Sequence, residues 1–388
     1  MQAERIDPAR GVQHGPMVGA LQLRLGCGEP LRASLSGRNL APPQGTAGPA
    51  RRLSAPWRPP AAAGAVPPPR ATATHRTADA TAASARQCPA TPMTDATELR
   101  GQLRHHEPLA KHTTWRVGGP ARRLYRPADR ADLIAFLCTL PPEEPLLWLG
   151  LGSNLLVADS GWPGTVIETQ GCLTAMDTLA PGRLRFEAGV SCAKAARFAA
   201  RQGLVGIEFL AGIPGTIGGA LAMNAGAWGG ETWPHVAVVR TIDRAGTVRE
   251  RTATDFEIGY RHVAGPAGEW FLEAELTLDA GDTAAGQARI KALLERRAAT
   301  QPTGLPSCGS VFRNPPGDHA ARLIEACGLK GRRLGGAEVS PKHANFIINT
   351  GTATASDIAR LIDLVQAEVE RRHGVRLIPE VRRVGEFA

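Results

Sequence analysis

Two glycine-rich turns are the segments of this chain best suited to hold an anion. Residues 206–231 read GIEFLAGIPGTIGGALAMNAGAWGGE, with eight glycines in 26 positions and Pro214 breaking any continuous helix. Glycine dominates where a backbone needs positive φ or must lie flat against a ligand. Here Gly212, Gly215, Gly218 and Gly219 surround Thr216, so several amide N–H groups can converge on one anionic group. A second such turn lies in LGLGSNLLV (149–157), where an apolar strand over Leu146–Leu149 runs into Gly150, Leu151, Gly152, Ser153 and Asn154. Each turn alone reads equally well as a tight connection between strands. As a pair, about 60 residues apart, they suit a diphosphate gripped from two sides.

The common nucleotide motifs do not fit. Gly150-x-Gly152 lacks the third glycine of the dinucleotide fingerprint, and the DSGWPG that follows is no helix. The sequence contains no GxxxxGK[ST], which excludes a P-loop nucleotidase.

The elements that must position these turns are short. Between Arg116 and about Leu278, strand-like runs such as GTVIETQG, LRFEAGV, VAVVRTID and EWFLEAELTL alternate with turns. One helix interrupts them, over Cys192–Gln202, with Ser191 as N-cap and Gly203 as its stop. Ser191 and Lys194 also spell SxxK, the acylating motif of penicillin-binding enzymes, but no SDN or KTG partner exists and the cap reading wins. A linker helix over Gln287–Thr300 leads into a C-terminal α+β unit. In that unit Ile358, Leu361, Ile362, Val365 and Val369 form one apolar helical stripe, which we expect Ser356 to cap and Gly374 to end. A strand VRLIPEV is expected to close the chain.

Composition narrows the partners. At 388 residues the chain is long enough for two or three domains. Its net charge of +9 is uneven: residues 1–92 hold 11 Arg, no Lys and four acidic residues, a net of +7, which leaves +2 for the other 296. The near-neutral remainder has no basic stripe, so nucleic acid is not an expected partner. Seven scattered cysteines without a CxxC pair suit a reducing cytosol, and ten histidines without HExxH spacing give no reason to expect a metal. No apolar run approaches the ~20 residues of a membrane span. Residues 1–92, with 14 of the 31 prolines and no helical or strand period, read as a disordered extension. Their Arg-rich, acid-poor composition resembles a transit peptide; a start assigned too early, with Met93 as the initiator, is the favoured reading.

Seven ordered motifs resemble one family: TTWRVGGPA (113–121), LGLGSNLLV, the 206–231 block, GYR (259–261), PSCGSVFRNP (306–315), LGGAEVSPKHANFIIN (334–349) and IPEVRRVG (378–385). They span about 290 residues, essentially everything after Met93, and are similar to the MurB family of bacterial flavoenzymes, the UDP-N-acetylenolpyruvoylglucosamine reductases. The resemblance implies an α+β fold. A bipartite FAD-binding domain of the vanillyl-alcohol-oxidase/PCMH type (93–285) would precede a smaller α+β substrate domain (300–388). It implies non-covalent FAD held by Gly150, Gly152, Ser153, Asn154, Leu155, Gly212, Pro214, Gly215, Thr216, Gly218, Gly219 and Asn224. It also implies NADPH as hydride donor, and reduction of UDP-N-acetylglucosamine enolpyruvate to UDP-N-acetylmuramate for peptidoglycan synthesis. The setting expected is a cytoplasmic monomer, without membrane or metal.

Flavin chemistry supplies the hydride, so the protein must stabilise developing negative charge and deliver one proton. On the family pattern Arg261 grips the substrate carboxylate, because a guanidinium makes two parallel hydrogen bonds and stays charged. Ser310, directly before the Val-Phe pair, is the implied proton donor, with Ser307 and Cys308 as nearby competitors. Glu380 either polarises it or stabilises the intermediate. Tyr260, Arg313 and Asn314 are the implied substrate contacts. Two departures stand out. The family often reads YRxS where this chain has Tyr260-Arg261-His262-Val263, so a hydroxyl that would support Arg261 is missing. Only 11 residues separate Arg261 from Glu273, which resembles the compact type II enzymes. Rival readings are an oxygen-using flavin oxidase on the same fold and a flavin- or UDP-sugar-binding sensor without catalysis.

Overall fold

Short β-branched and apolar runs between turn residues build two small sheets; the first glycine turn leaves the edge strand of one, and the second leads into a helix. The computed structural model describes residues 98–387; the expectations for residues 1–92 lie outside these described residues. The first lobe runs β1 (Gln102–Pro108), β2 (Pro120–Arg126), α1 (Arg130–Cys138), β3 (Leu146–Leu149), β4 (Leu155–Val157) and β5 (Trp162–Glu168). Its sheet has the order β1-β2-β5-β3, antiparallel at β1–β2 and parallel beyond. Parallel strands are covered on both faces, which fits the continuous apolar run of Leu146–Leu149.

The second lobe begins with β6 (Met176–Ala180), β7 (Arg183–Glu187), α2 (Cys192–Arg201) and α3 (Ile217–Met223). It continues through β8 (Val236–Asp243), β9 (Val248–Arg251), a hairpin of β10 (Glu257–Gly259) and β11 (His262–Ala264), and β12 (Glu269–Thr277). Its antiparallel sheet has the order β9-β8-β12-β7-β6. Helix α2 packs through Ala195, Ala196, Ala199 and Ala200, whose small side chains allow close approach to the 3-10 turn Glu208–Gly212. Ser191 caps it by accepting the Lys194 N–H at 3.3 Å, and this use of the hydroxyl leaves the SxxK reading without a role. Buried Glu273 on β12 pairs with Arg130 of α1 and Arg240 of β8, so the lobes share a charged joint. Among the described residues no helix is long and apolar enough to cross a membrane.

The C-terminal part contains α4 (Thr283–Thr300), α5 (Ala320–Ala326), the antiparallel sheet β13 (Arg333–Leu334), β14 (Ala337–Val339) and β15 (Ile347–Asn349), helix α6 (Ala355–His373) and β16 (Arg382–Val384). The stripe Ile358, Leu361, Ile362, Val365 and Val369 is buried as its spacing predicts, in a core with Val311, Phe312, Leu323 and Ile347. Gly374 ends α6 at φ +66°.

Three local expectations are corrected. Helix α4 starts at Thr283, not Gln287, because Asp282 caps it by accepting the Ala285 N–H at 2.7 Å. Helix α6 is capped by Thr354 in a reciprocal box with Asp357, two residues earlier than Ser356. Ser356 instead donates to Asp159 at 2.6 Å, and the same carboxylate accepts the Ala355 and Ser356 amides, tying the first lobe to α6. The final strand is Arg382–Val384 rather than VRLIPEV: Pro379 makes a single bridge to Phe312, and regular pairing begins only where Arg382 meets Leu155 in parallel with β4.

Candidate active site

The end of β3 delivers the first glycine turn, and the approach to α3 delivers the second. Gly152 sits at φ +65°, and a Cβ there would collide with the His112 carbonyl. A Cβ on Gly150 would strike the Thr216 hydroxyl, and one on Gly215 would lie 3.6 Å from Ser153 Oγ. The two turns therefore abut, as their composition predicted. Both line a cavity of about 330 Å³. A second cavity of about 370 Å³ shares Trp148, Gly150, Leu155, Thr216 and Arg382 with the first, so the two continue past the point where the turns meet.

The residues present fit FAD. Among the described residues the amides of Ser153, Asn154 and Gly215 have no protein acceptor, which leaves them for an anion. The buried indole N–H of Trp148, which lines both cavities, has no partner. Trp148 stacks on Trp270 at 5.2 Å, and Phe256 and Phe271 join them around the second cavity, an aromatic setting suited to a planar ring.

Three expected cofactor contacts spend their polar groups within the protein. Gly218 faces only the second cavity; its amide donates to Ala188 O at 2.9 Å, and its missing Cβ lets α3 approach that residue. The Gly219 amide is likewise spent on the Thr216 hydroxyl that caps α3. Asn224 stands behind the cavity, 2% exposed, at left-handed φ +43° as the C-cap of α3. Its side chain donates to Glu231 at 3.0 Å and Gly259 O at 3.1 Å and accepts from Trp233 N at 3.1 Å, which uses all its reach internally.

Arg261, Ser310 and Glu380 come from three distant segments and line the first cavity together. Arg261 occupies the β10–β11 turn at φ +53°. Its guanidinium donates to Gly226 O and, at 3.4 Å, to Asn224 O, and lies 3.0 Å from Glu380 Oε1. These partners take the place of the missing hydroxyl. Glu380 is fixed through its backbone: its N–H donates to Val311 O at 2.7 Å, and its carbonyl accepts from Asn154 Nδ2 at 3.1 Å. Burial raises its carboxyl above the ordinary carboxylate range, against the lowering pull of Arg261 and Arg313. Glu380 therefore holds a proton more readily than a surface glutamate.

Ser310 follows Gly309, which turns at φ +83°, and precedes Val311, whose amide is held by Asn345 O at 2.9 Å. Its hydroxyl has no partner among the described residues. Cys308 lines the same cavity, but burial and then the charge of Glu380 push its thiol well above the ordinary range, which keeps it protonated and inert. Ser307 lines a different, neighbouring cavity.

Of the expected substrate contacts, Tyr260 is 47% exposed at the rim with its ring 5.0 Å from the Arg261 guanidinium. Asn314 reaches the cavity while its Oδ1 accepts the Ala320 amide at 3.1 Å, at the start of α5. Arg313 does not line the cavity; it acts on Glu380 through charge, and its Nε is buried without a partner. Sequence reasoning missed Trp148, Arg297, Gln301, Phe346 and Arg382 as lining residues. Arg382 carried a signal, since it follows Glu380 by two residues and extended backbone returns side chains to one face with that period.

A two-lobed FAD-binding fold with a polar cavity between glycine turns and a C-terminal carboxyl defines a flavin-dependent oxidoreductase. Residues 121–252 match the FAD binding domain model, and residues 301–384 match that of the UDP-N-acetylenolpyruvoylglucosamine reductase C-terminal domain. The chain is 64% identical over 286 residues to the UDP-N-acetylenolpyruvoylglucosamine reductase of Alkalilimnicola ehrlichii, covering 74% of this chain and 96% of that protein. The Methylococcus capsulatus reductase is 61% identical over 291 residues, covering 75% and 96%. The crystal structure of UDP-N-acetylenolpyruvylglucosamine reductase (MurB) from Thermus caldophilus superposes with a TM-score of 0.63 at 34% identity, covering 73% of this chain and 98% of that one. The chain belongs to the UDP-N-acetylenolpyruvoylglucosamine reductase family.

Proposed function

We propose that Arg261, Ser310 and Glu380 act as one unit in the NADPH-dependent reduction of UDP-N-acetylglucosamine enolpyruvate to UDP-N-acetylmuramate. The observation that carries this reading is their convergence: a carboxylate-gripping cation, an unpartnered hydroxyl and a proton-retaining carboxyl line the cavity that both glycine turns also line. FAD, when bound, would supply the hydride chemistry between NADPH and the enolpyruvyl double bond.

The chain's own residues supply the rest. Arg261 binds the substrate carboxylate, and its grip strengthens as charge spreads towards that carboxylate during reduction. Glu380 sits on the same guanidinium. Because burial favours its protonated form, it can neighbour a second carboxylate without like-charge repulsion. The Ser310 hydroxyl then gives its proton to the α-carbon, and Glu380 is the titratable member of the trio that can hold a proton in reserve. Ser153, Asn154, Gly215 and Thr216 hold the diphosphate of FAD, and Tyr260 and Asn314 face the UDP-sugar. Arg313 supports the site by its charge on Glu380. The setting we infer is a cytoplasmic monomer, because NADPH and nucleotide sugars are cytoplasmic metabolites and no residue outside this chain is needed to complete the trio.

The test is a steady-state assay in air. NADPH consumption should require the enolpyruvyl UDP-sugar and match UDP-N-acetylmuramate formed one for one. Consumption that runs without that sugar and yields hydrogen peroxide would make the protein an oxidase. A purified protein without flavin would support neither enzyme.

A further inference from the structure

Next to the main cavity, with Gly309 lining both, lies a third cavity of about 280 Å³. It shares Pro214, Arg297, Gln301, Gly309 and Phe346 with the main cavity, so it is an annex of the active site rather than a separate pit. Its charge is one-sided. Arg116 and Arg297 both line it, and no Asp or Glu does. Among the described residues neither arginine has a carboxylate within salt-bridge distance; Arg116 is exposed, but Arg297 is half-buried in a protein where most half-buried arginines are paired. Among the described residues the one side-chain partner of Arg297 is the neutral Gln301 Oε1, at 3.1 Å. Burial lowers its pKa with no anion to offset it, as expected of a half-buried cation waiting for one.

Two further observations point the same way. The hydroxyl of Thr114, also in the lining, is buried and has no hydrogen-bond partner among the described residues. Arg116 is held at left-handed φ +57°, a conformation that strains a side-chain-bearing residue. Such strain collects at ligand clamps. The segment Thr113–Arg116 also backs the first glycine turn, since the Thr114 amide donates to Gly152 O at 3.2 Å.

We propose that this annex is an anion subsite that holds a phosphate ester of the ligand seated in the main cavity, with Arg116 and Arg297 supplying charge and Thr114 a hydroxyl. The inference rests on the reductase reading, in which two phosphate-bearing ligands visit the cavity in turn: the reductant dinucleotide and the UDP-sugar. Both present the same chemistry to a guanidinium pair, and the experiment separates them.

The holoprotein and the variants Arg116→Gln and Arg297→Gln would be compared anaerobically by rapid mixing. Flavin reduction against NADPH and NADH concentration gives one affinity; reoxidation of the reduced protein against UDP-sugar concentration gives the other. Inorganic pyrophosphate serves as a competing probe. Loss of a charge-assisted hydrogen bond should weaken the ligand that uses the annex about 10- to 100-fold, leave the limiting rate unchanged, and weaken pyrophosphate inhibition in parallel. Weakened NADPH binding, with the preference over NADH reduced, assigns the annex to the reductant. A raised half-saturation for the UDP-sugar alone assigns it to the substrate. Should Arg297→Gln lose flavin, Arg297→Lys restores the charge, and Arg116→Gln, on the exposed side, still reads the site. If both variants keep flavin and bind both ligands and pyrophosphate as tightly as the parent, the annex is not an anion site. That outcome leaves the reductase reading intact, whereas a parent protein whose reduced flavin ignores the UDP-sugar would sink the reading itself.

Discussion

Arg261 is the proposed grip on the substrate carboxylate, and its contacts explain its placement. Its backbone takes a left-handed turn, its fork is shared among two carbonyls and one carboxylate, and one of those carbonyls belongs to Asn224, itself left-handed at the end of α3. A lysine in that turn keeps the charge but loses the planar fork. Arg261→Lys should therefore lower kcat/KM for the enolpyruvyl substrate by at least about tenfold while flavin content is unchanged. A variant with parental kcat/KM would show that the guanidinium geometry is not used. The chemistry of single residues was readable in the sequence only where a motif surrounded them. Ser310 and Glu380 stand in such motifs. Arg313 was expected at the cavity and Arg382 was not foreseen, because which arginine faces the cavity depends on the bridge between Phe312 and Pro379, a contact between residues far apart in the chain.

Elements set the spacing between these residues, and the first glycine turn shows how. Behind it, His112 is 8% exposed and bridges two carboxylates, Glu168 at 2.9 Å and Glu107 at 3.0 Å, while its carbonyl presses on Gly152. Arg126 pairs with Glu168, and Lys111 and Arg104 face Glu107. The hydrogen bond to Glu168, against the cost of burial, raises the His112 pKa above its ordinary 6.5, and Glu107 adds to the rise. The raised value means the charged imidazolium is the form that stabilises the fold. Its contribution is complete below about pH 6.5 and is lost as pH rises through the folded-state value. Thermal stability should accordingly decline between pH 6.5 and alkaline pH more steeply in the parent than in His112→Gln, measured by flavin release on heating; parallel curves would remove the ion cluster from the account. The helix stripe of α6 was legible because its period is local, whereas its cap was misplaced because Thr354 and Ser356 compete and only the tertiary partner, Asp159, decides. The glycine turns were legible as turns, but not in how they divide their amides. Gly218 and Gly219 serve α3, which leaves Ser153, Asn154 and Gly215 for a ligand.

At the scale of the whole molecule, β16 returns to pair with β4 immediately after the first glycine turn, so Glu380 and Asn154 are set by one pairing and one side-chain hydrogen bond. Every residue given a role here lies beyond Met93. A protein beginning at Met93 should bind the same amount of FAD and turn over at the same rate as the full chain; aggregation or lost flavin would show that the preceding residues are structural. In the proposed reaction one hydroxyl delivers the proton, and the flavin is reduced independently of it. Flavin absorbance followed anaerobically in the parent and in Ser310→Ala decides this. NADPH should bleach both. The enolpyruvyl UDP-sugar should restore the yellow band quickly in the parent and about 10²–10⁴-fold more slowly in the variant. Recovery slowed by less than tenfold in Ser310→Ala, with loss in Ser307→Ala or Cys308→Ala instead, would contradict the account.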